Sequence, residues 1–136
     1  MTPPSVLVID DDLSFGELTR RRLERMNLNV DFYPRGEGAM ARIVEGQFDL
    51  VIVDVNMPGM SGLQLVDMLR TSNRQTQVLL YSSLETSELR AAAERHGVSA
   101  YLPKSASGKD LEAFVRELIG ARAISSTFRA VEDPDD

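Results

Sequence analysis

The sequence predicts an α/β domain organised around a parallel sheet. Apolar runs of four to six residues recur along the chain, and helical segments separate them at short intervals. Strict alternation of strand and helix through short loops implies right-handed crossovers, with helices on both faces of the sheet. Three of the runs are apolar at almost every position, as expected of central parallel strands covered on both sides.

The first strand is expected over Ser5 to Ile9, the second over Asn29 to Tyr33 and the third over Leu50 to Val53. The fourth is expected over Gln77 to Tyr81 and the fifth over Ala100 to Leu102. The second and fifth are mixed in character and suit the edges. A helix from Leu13 to Met26 carries an apolar stripe of Phe15, Leu18, Leu23 and Met26. The next, Gly38 to Glu45, offers Met40, Ile43 and Val44 for burial and stops at Gly46. The third, Leu63 to Ser72, offers Leu65, Val66 and Leu69. The fourth runs from Thr86 to His96, with Gly97 as its stop, and its Ala91-Ala92-Ala93 run gives thin packing that suits an element able to shift. The fifth has Leu111, Phe114, Val115, Leu118 and Ile119 at helical spacing, and Ser107 with Asp110 forms a capping-box start. Five such units match the flavodoxin-like strand order 2-1-3-4-5.

Composition narrows the chemistry. With 136 residues, 43% hydrophobic and 26% charged, the chain suits one globular domain. The absence of cysteine excludes disulfides, thiolate metal sites and thiol nucleophiles. No apolar run approaches the roughly 20 residues of a membrane span, and Met1-Thr2-Pro3-Pro4 carries no signal-peptide pattern. A cytoplasmic location is expected. The net charge of -6 argues against direct nucleic-acid binding by this chain. Four of the acids, Glu132, Asp133, Asp135 and Asp136, lie in a tail with little to bury. A folded domain over residues 1–121 is therefore expected, followed by a disordered tail or the start of a linker over 122–136.

The strand ends carry the chemistry. The third strand runs into Asp54, and Val55-Asn56-Met57-Pro58-Gly59-Met60-Ser61-Gly62 then turns the chain away. The first strand runs into Asp10-Asp11-Asp12. In the expected strand order these ends are neighbours, at the sheet edge where ligands bind. Converging carboxylates repel unless a cation or shared proton offsets them. Oxygen ligands without His or Cys suit Mg²⁺. One of Asp11 and Asp12 is also a natural N-cap for the first helix. Ser82 ends the fourth strand and Lys104 follows the fifth, which adds a hydroxyl and a cation to the same rim. Acids, a carboxylate nucleophile, a hydroxyl and a lysine form a kit for phosphoryl transfer.

With these residues in place, the chain resembles the receiver domain of two-component response regulators over about Ser5 to Gly120. The resemblance implies that Asp54 is the phosphoacceptor, and that Asp10, Asp11, Asp54 and the backbone carbonyl of Asn56 hold Mg²⁺. It implies that Ser82 bonds the phosphoryl group, that Lys104 pairs with it, and that Tyr101 is a switch aromatic acting with Ser82. Helix four, strand five and helix five would be the surface remodelled, and a homodimer through that surface is compatible with it. Asn56 and Leu84 occupy rate-tuning positions. An apolar Leu84 cannot orient attacking water, so slow-to-moderate loss of phosphate is expected. The partner would be a sensor histidine kinase or a histidine phosphotransfer protein. Such a chain is a signalling receiver that catalyses only its own phosphorylation and dephosphorylation.

Some positions depart from the family pattern. Pro103 precedes Lys104 and Ser105 follows it, whereas the family commonly has a proline after the lysine joined by a cis peptide. A cis bond before Ser would cost about 3 kcal/mol, so this loop is expected to be built differently. The Pro-Lys-Ser-Ala-Ser segment is similar to receivers of LuxR-type regulators, which makes an N-terminal receiver of a DNA-binding regulator the alternative to a stand-alone module. Ser also replaces the commoner Thr at 82. A haloacid-dehalogenase-like phosphatase with Asp10 as nucleophile is a remote alternative, since Asp10-Asp11-Asp12-Leu13-Ser14 fits its opening motif but no later acidic pair follows. A receiver that binds without accepting phosphate is disfavoured by the filled site. The plainer alternative for Tyr101 is a half-buried edge residue packing on the fifth helix, which is compatible with a switch role. His96 reads as a surface residue at a helix end, and Arg20, Arg21, Arg22 and Arg25 as a solvated face or a kinase contact.

Overall fold

The computed structural model describes residues 2–72 and 75–124, with side chains through residue 120. The strands are β1 (Ser5–Ile9), β2 (Asn29–Tyr33), β3 (Leu50–Val53), β4 (Gln77–Ser82) and β5 (Ala100–Pro103). They alternate with α1 (Leu13–Glu24), α2 (Ala39–Gly46), α3 (Gly62–Thr71), α4 (Thr86–Arg95) and α5 (Gly108–Ile124). All strand pairs are parallel, in the order β2-β1-β3-β4-β5. The expected order is therefore the observed one. The acidic residues beyond 124 lie outside the described residues.

Strand alternation divides the interior into two layers. Leu7, Ile9, Val51, Val53, Val78 and Leu80 pack with Ile43 of α2, Leu65 and Val66 of α3 and Leu89 of α4. On the opposite face, Val8, Ile52, Leu79 and Tyr81 pack with Leu23 of α1 and Leu111, Val115 and Leu118 of α5. Burying each such aliphatic side chain contributes about 1.5–3 kcal/mol. The apolar character of β1, β3 and β4 follows directly from having a core on both sides.

Helix rotations differ from the expected stripes in places. Leu18 is 55% exposed and Val44 47% exposed, although helical spacing puts both on apolar faces. In α1 the inward face is Gly16, Thr19 and Leu23. Gly16 sets it: a Cβ there would stand 2.3 Å from the Phe32 ring, so the helix backbone lies directly on β2. That contact turns Leu18 to solvent. Tyr101 packs on the layer beneath α3 and α4 instead of on the fifth helix, because its register on β5 opposite Leu80 points it to that face.

The arginine-rich face of α1 is partly structural. Arg22 donates to Glu112 of α5 at 3.0 Å, and Arg20 pairs with Glu17 and Glu24 on its own helix. His96 caps α4 and places Nδ1 2.9 Å from Asp67 of α3. It is thus a half-buried contact between helices, not an isolated surface residue.

Candidate functional site

The site grows out of strand register. Ile9 pairs with Val53, and the N–H of Asp54 donates to the Ile9 carbonyl at 3.0 Å. Asp10 and Asp54 therefore leave adjacent strands side by side. Both are buried, whereas Asp11 is exposed. Carboxylate oxygens of Asp10, Asp11 and Asp54 lie within 4.8 Å of one another.

Asp12, the third acid of the run, has a different task. Its Oδ1 accepts the Phe15 N–H at 3.0 Å and caps α1. Its own N–H donates to Asp10 Oδ1 at 3.0 Å, which fixes the Asp10 carboxylate. The cap is therefore Asp12, and Asp11 is left to the cluster. A side chain committed to the helix terminus also weakens the phosphatase motif, which needs Asp12 in the site.

The loop after Asp54 is held by alternate anchoring. Val55 and Met57 are buried in the layer under α3, while the Asn56 side chain is exposed. The Asn56 N–H points at Asp54 Oδ1 over 3.4 Å. Gly59 takes φ +83°, a left-handed conformation suited to glycine. Ser61 and Gln64 then form a reciprocal capping box that starts α3.

Lys104 closes the site from β5. Its Nζ lies 2.8 Å from Asp10 Oδ2 and 3.0 Å from Asp54 Oδ2, with its side chain 13% exposed. Burial works against the ammonium, yet its hydrogen bonds to Asp10 and Asp54 outweigh this and raise its pKa. Burial also pushes the Asp10 carboxyl up, and the Lys104 hydrogen bond and the Asp12 N–H offset this only in part. Three carboxylates against one ammonium leave an excess of negative charge. Hard oxygen donors, an exposed flank at Asp11 and that uncompensated charge together fit a divalent cation such as Mg²⁺.

The peptide between Lys104 and Ser105 is trans, like all others among the described residues. Pro103, which has no N–H, sits on edge strand β5 opposite Ser82, and the Lys104 N–H restores the ladder by donating to the Ser82 carbonyl at 2.8 Å. Ser82 is fully buried, and its Oγ accepts the Leu84 N–H at 3.3 Å. It therefore shapes its own loop and does not cap α4, whose N-cap is Glu85. Tyr101 stands further out, its hydroxyl accepting from Arg90 Nε at 3.0 Å.

The residues brought together are thus Asp10, Asp11, Asp54 and Lys104, with Ser82 on the adjoining strand end and Tyr101 outside the cluster. One neighbour belongs by its spacing to the apolar stripe of the first helix, with nothing in its residue type to mark it as part of the site. Phe15 places its ring centroid 4.6 Å from Lys104 Nζ. The available signal was its position, three residues after the capping acid, in a first helical turn that overhangs the sheet edge.

The response regulator receiver domain model matches residues 6–116. The chain belongs to that family. The transcriptional regulatory protein CusR of Escherichia coli is 30% identical over 130 residues, covering 93% of this chain and 57% of CusR. ResD of Bacillus subtilis is 27% identical over 125 residues, covering 92% of this chain and 52% of ResD. The chain thus spans about half the length of the curated relatives it matches. Among solved structures, the Francisella response regulator 1452 receiver domain matches at 28% identity and TM-score 0.79, covering 86% of this chain and 97% of that one. The BeF3-activated N-terminal receiver domain of Klebsiella pneumoniae RstA matches at 28% identity and TM-score 0.78, covering 85% and 97%. The comparisons give no support to the phosphatase alternative. This is a receiver domain of the two-component response regulator type, and such domains work with histidine kinases. No helix among the described residues is long and apolar enough to cross a membrane.

Proposed function

We propose that Asp54 is the phosphoacceptor of this receiver. The observation that carries the reading is the buried Asp54 carboxylate at the end of β3, paired with Lys104 and flanked by Asp10 and Asp11. An Asp54 oxygen forms the new P–O bond while the P–N bond of a partner phosphohistidine breaks, and its electron pair leaves with the imidazole. Asp10, Asp11, Asp54 and the Asn56 carbonyl would hold Mg²⁺, which would offset the charge of the acids and of the phosphoryl oxygens. Lys104 is already within reach of Asp54 and needs only to shift its hydrogen bond to a phosphoryl oxygen. Ser82 would turn its hydroxyl from the Leu84 N–H to that group, and Tyr101 would exchange its Arg90 contact for an inward position. The surface of α4, β5 and α5 would carry the change to a partner, a second receiver included.

The test uses acetyl phosphate, which loses acetate as the Asp54 bond forms. Wild-type protein with Mg²⁺ is expected to take up phosphate on Asp54, located by hydride trapping and peptide mass analysis. Chelation of the metal is expected to stop uptake. Label on any other residue would overturn the assignment.

The half-buried Leu84 offers no group to orient attacking water. Purified phosphoprotein is therefore expected to keep its phosphate for minutes or longer. A lifetime of seconds would remove this role from Leu84.

A second reading concerns output. Relatives of which the aligned residues make up 57% and 52%, named as transcriptional regulatory proteins, favour a receiver that precedes an output domain over a stand-alone module. Coding sequence continuing past Asp136 into a DNA-binding domain would support it; a stop codon there would oppose it.

A further inference from the structure

The Lys104 ammonium is held by more than its carboxylates. It reaches the site on a flexible four-carbon stem, so two ion pairs alone constrain its head loosely. The Phe15 ring covers it from another side, 4.6 Å from Nζ to centroid. Phe15 is itself placed twice over. Its N–H is tied to Asp12 Oδ1, and its ring packs against Tyr81 with centroids 5.2 Å apart and planes tilted by 49°. Tyr81 is buried and directly precedes Ser82. The ring therefore connects the end of β4, the start of α1 and the lysine after β5.

We propose that Phe15 is a positioning residue for Lys104, its ring face holding the ammonium over the paired carboxylates ready for an incoming phosphoryl group. The inference rests on the reading of Asp54 as phosphoacceptor. An aromatic face attracts a cation through its quadrupole, and more strongly where water is excluded, as around this largely buried lysine. Transfer is fastest when the neutralising cation is in place before charge arrives on the phosphoryl oxygens. Leucine at position 15 would fill much of the same apolar space but present no such face. Simple core filling and cation holding therefore make different predictions.

The experiment measures Mg²⁺-saturated phosphorylation of the full chain by acetyl phosphate in wild type, Phe15→Leu, Phe15→Tyr and Asp54→Asn. Phe15→Leu is expected to lower the rate constant about threefold to tenfold, and Phe15→Tyr to stay within about twofold of wild type. In protein carrying labelled lysine, the Lys104 ε-methylene resonance is expected to lose its ring-current shift in Phe15→Leu and keep it in Phe15→Tyr. If Phe15→Leu does not fold, Phe15→Met makes the same comparison. A wild-type rate and an unmoved Lys104 resonance in the ringless variant would overturn the inference, as would equal losses in both variants. Wild-type protein without Asp54-dependent labelling would overturn the phosphoacceptor reading itself. Normal labelling with no effect at position 15 would overturn only the role of Phe15.

Discussion

Asp54→Asn is expected to cut phosphate uptake from acetyl phosphate by at least about a hundredfold, the scale of losing a nucleophile, while the fold survives. Asparagine matches the shape of the carboxylate but cannot form the acyl phosphate. The surrounding charges tolerate the exchange. Lys104 keeps Asp10 as a partner at 2.8 Å, so no buried cation is orphaned. Asp10 and Asp11 lose a like-charged neighbour, which relieves repulsion. Thermal unfolding followed by circular dichroism is therefore expected to give a midpoint equal to or above that of wild type. Loss of label together with an intact melting curve identifies a missing nucleophile. Label retained at the wild-type level would move the acceptor elsewhere, with Asp10 the first residue to examine.

The second large effect is structural and falls on the same strand end. Gly62→Ala is expected to destabilise the domain by about 3 kcal/mol, lowering the midpoint on the order of 10 °C. A Cβ at position 62 would stand 2.1 Å from the Asp54 carbonyl oxygen, 2.9 Å from the Asp54 carbonyl carbon and 3.0 Å from Val53 Cγ2. Two of these are backbone atoms at the end of a strand paired on both sides, so they cannot swing aside. The Gly62 N–H also donates to the Val55 carbonyl at 3.0 Å, which ties α3 to the same loop. Relief must come from moving α3 or the Asp54 main chain, and phosphate uptake should fall along with stability. Gly120→Ala is the control. Nothing lies within 4 Å of its Cβ position on α5, and alanine there is expected to stabilise the helix by up to about 1 kcal/mol. Equal melting of wild type and Gly62→Ala would show that the loop yields.

Much of the architecture was legible because burial on both faces imprints itself on sequence. β1, β3 and β4 read as continuous apolar runs, and their central places follow from that. The convergence of Asp10, Asp11 and Asp54 was legible for a related reason: an acid directly after such a run has only the sheet edge to occupy. Helix orientation was less legible. Leu18 and Val44 sit at plausible helical spacing, but Gly16 lying on Phe32 decides which way α1 faces, and that contact joins residues of different elements. Apolar periodicity carries no record of it. The choice of Asp12 over Asp11 as cap likewise depends on where α1 begins, to a single residue. Arg22 bonded to Glu112 and Phe15 set over Lys104 are pairings between distant parts of the chain. Neither residue type declares its partner in advance.

The pairing of Ile9 with Val53 has a practical consequence for handling this protein. Slipping β1 against β3 by one residue would send one acid to the opposite face of the sheet and disperse the cluster. A chain that has collapsed with most of its helices formed but with strands misaligned would look nearly normal by far-ultraviolet spectroscopy and still accept no phosphate. With Asp54 as the proposed acceptor, phosphate uptake would thus report correctly threaded molecules. Moles of label per mole of chain, relative to never-unfolded protein under the same conditions, would measure refolding yield.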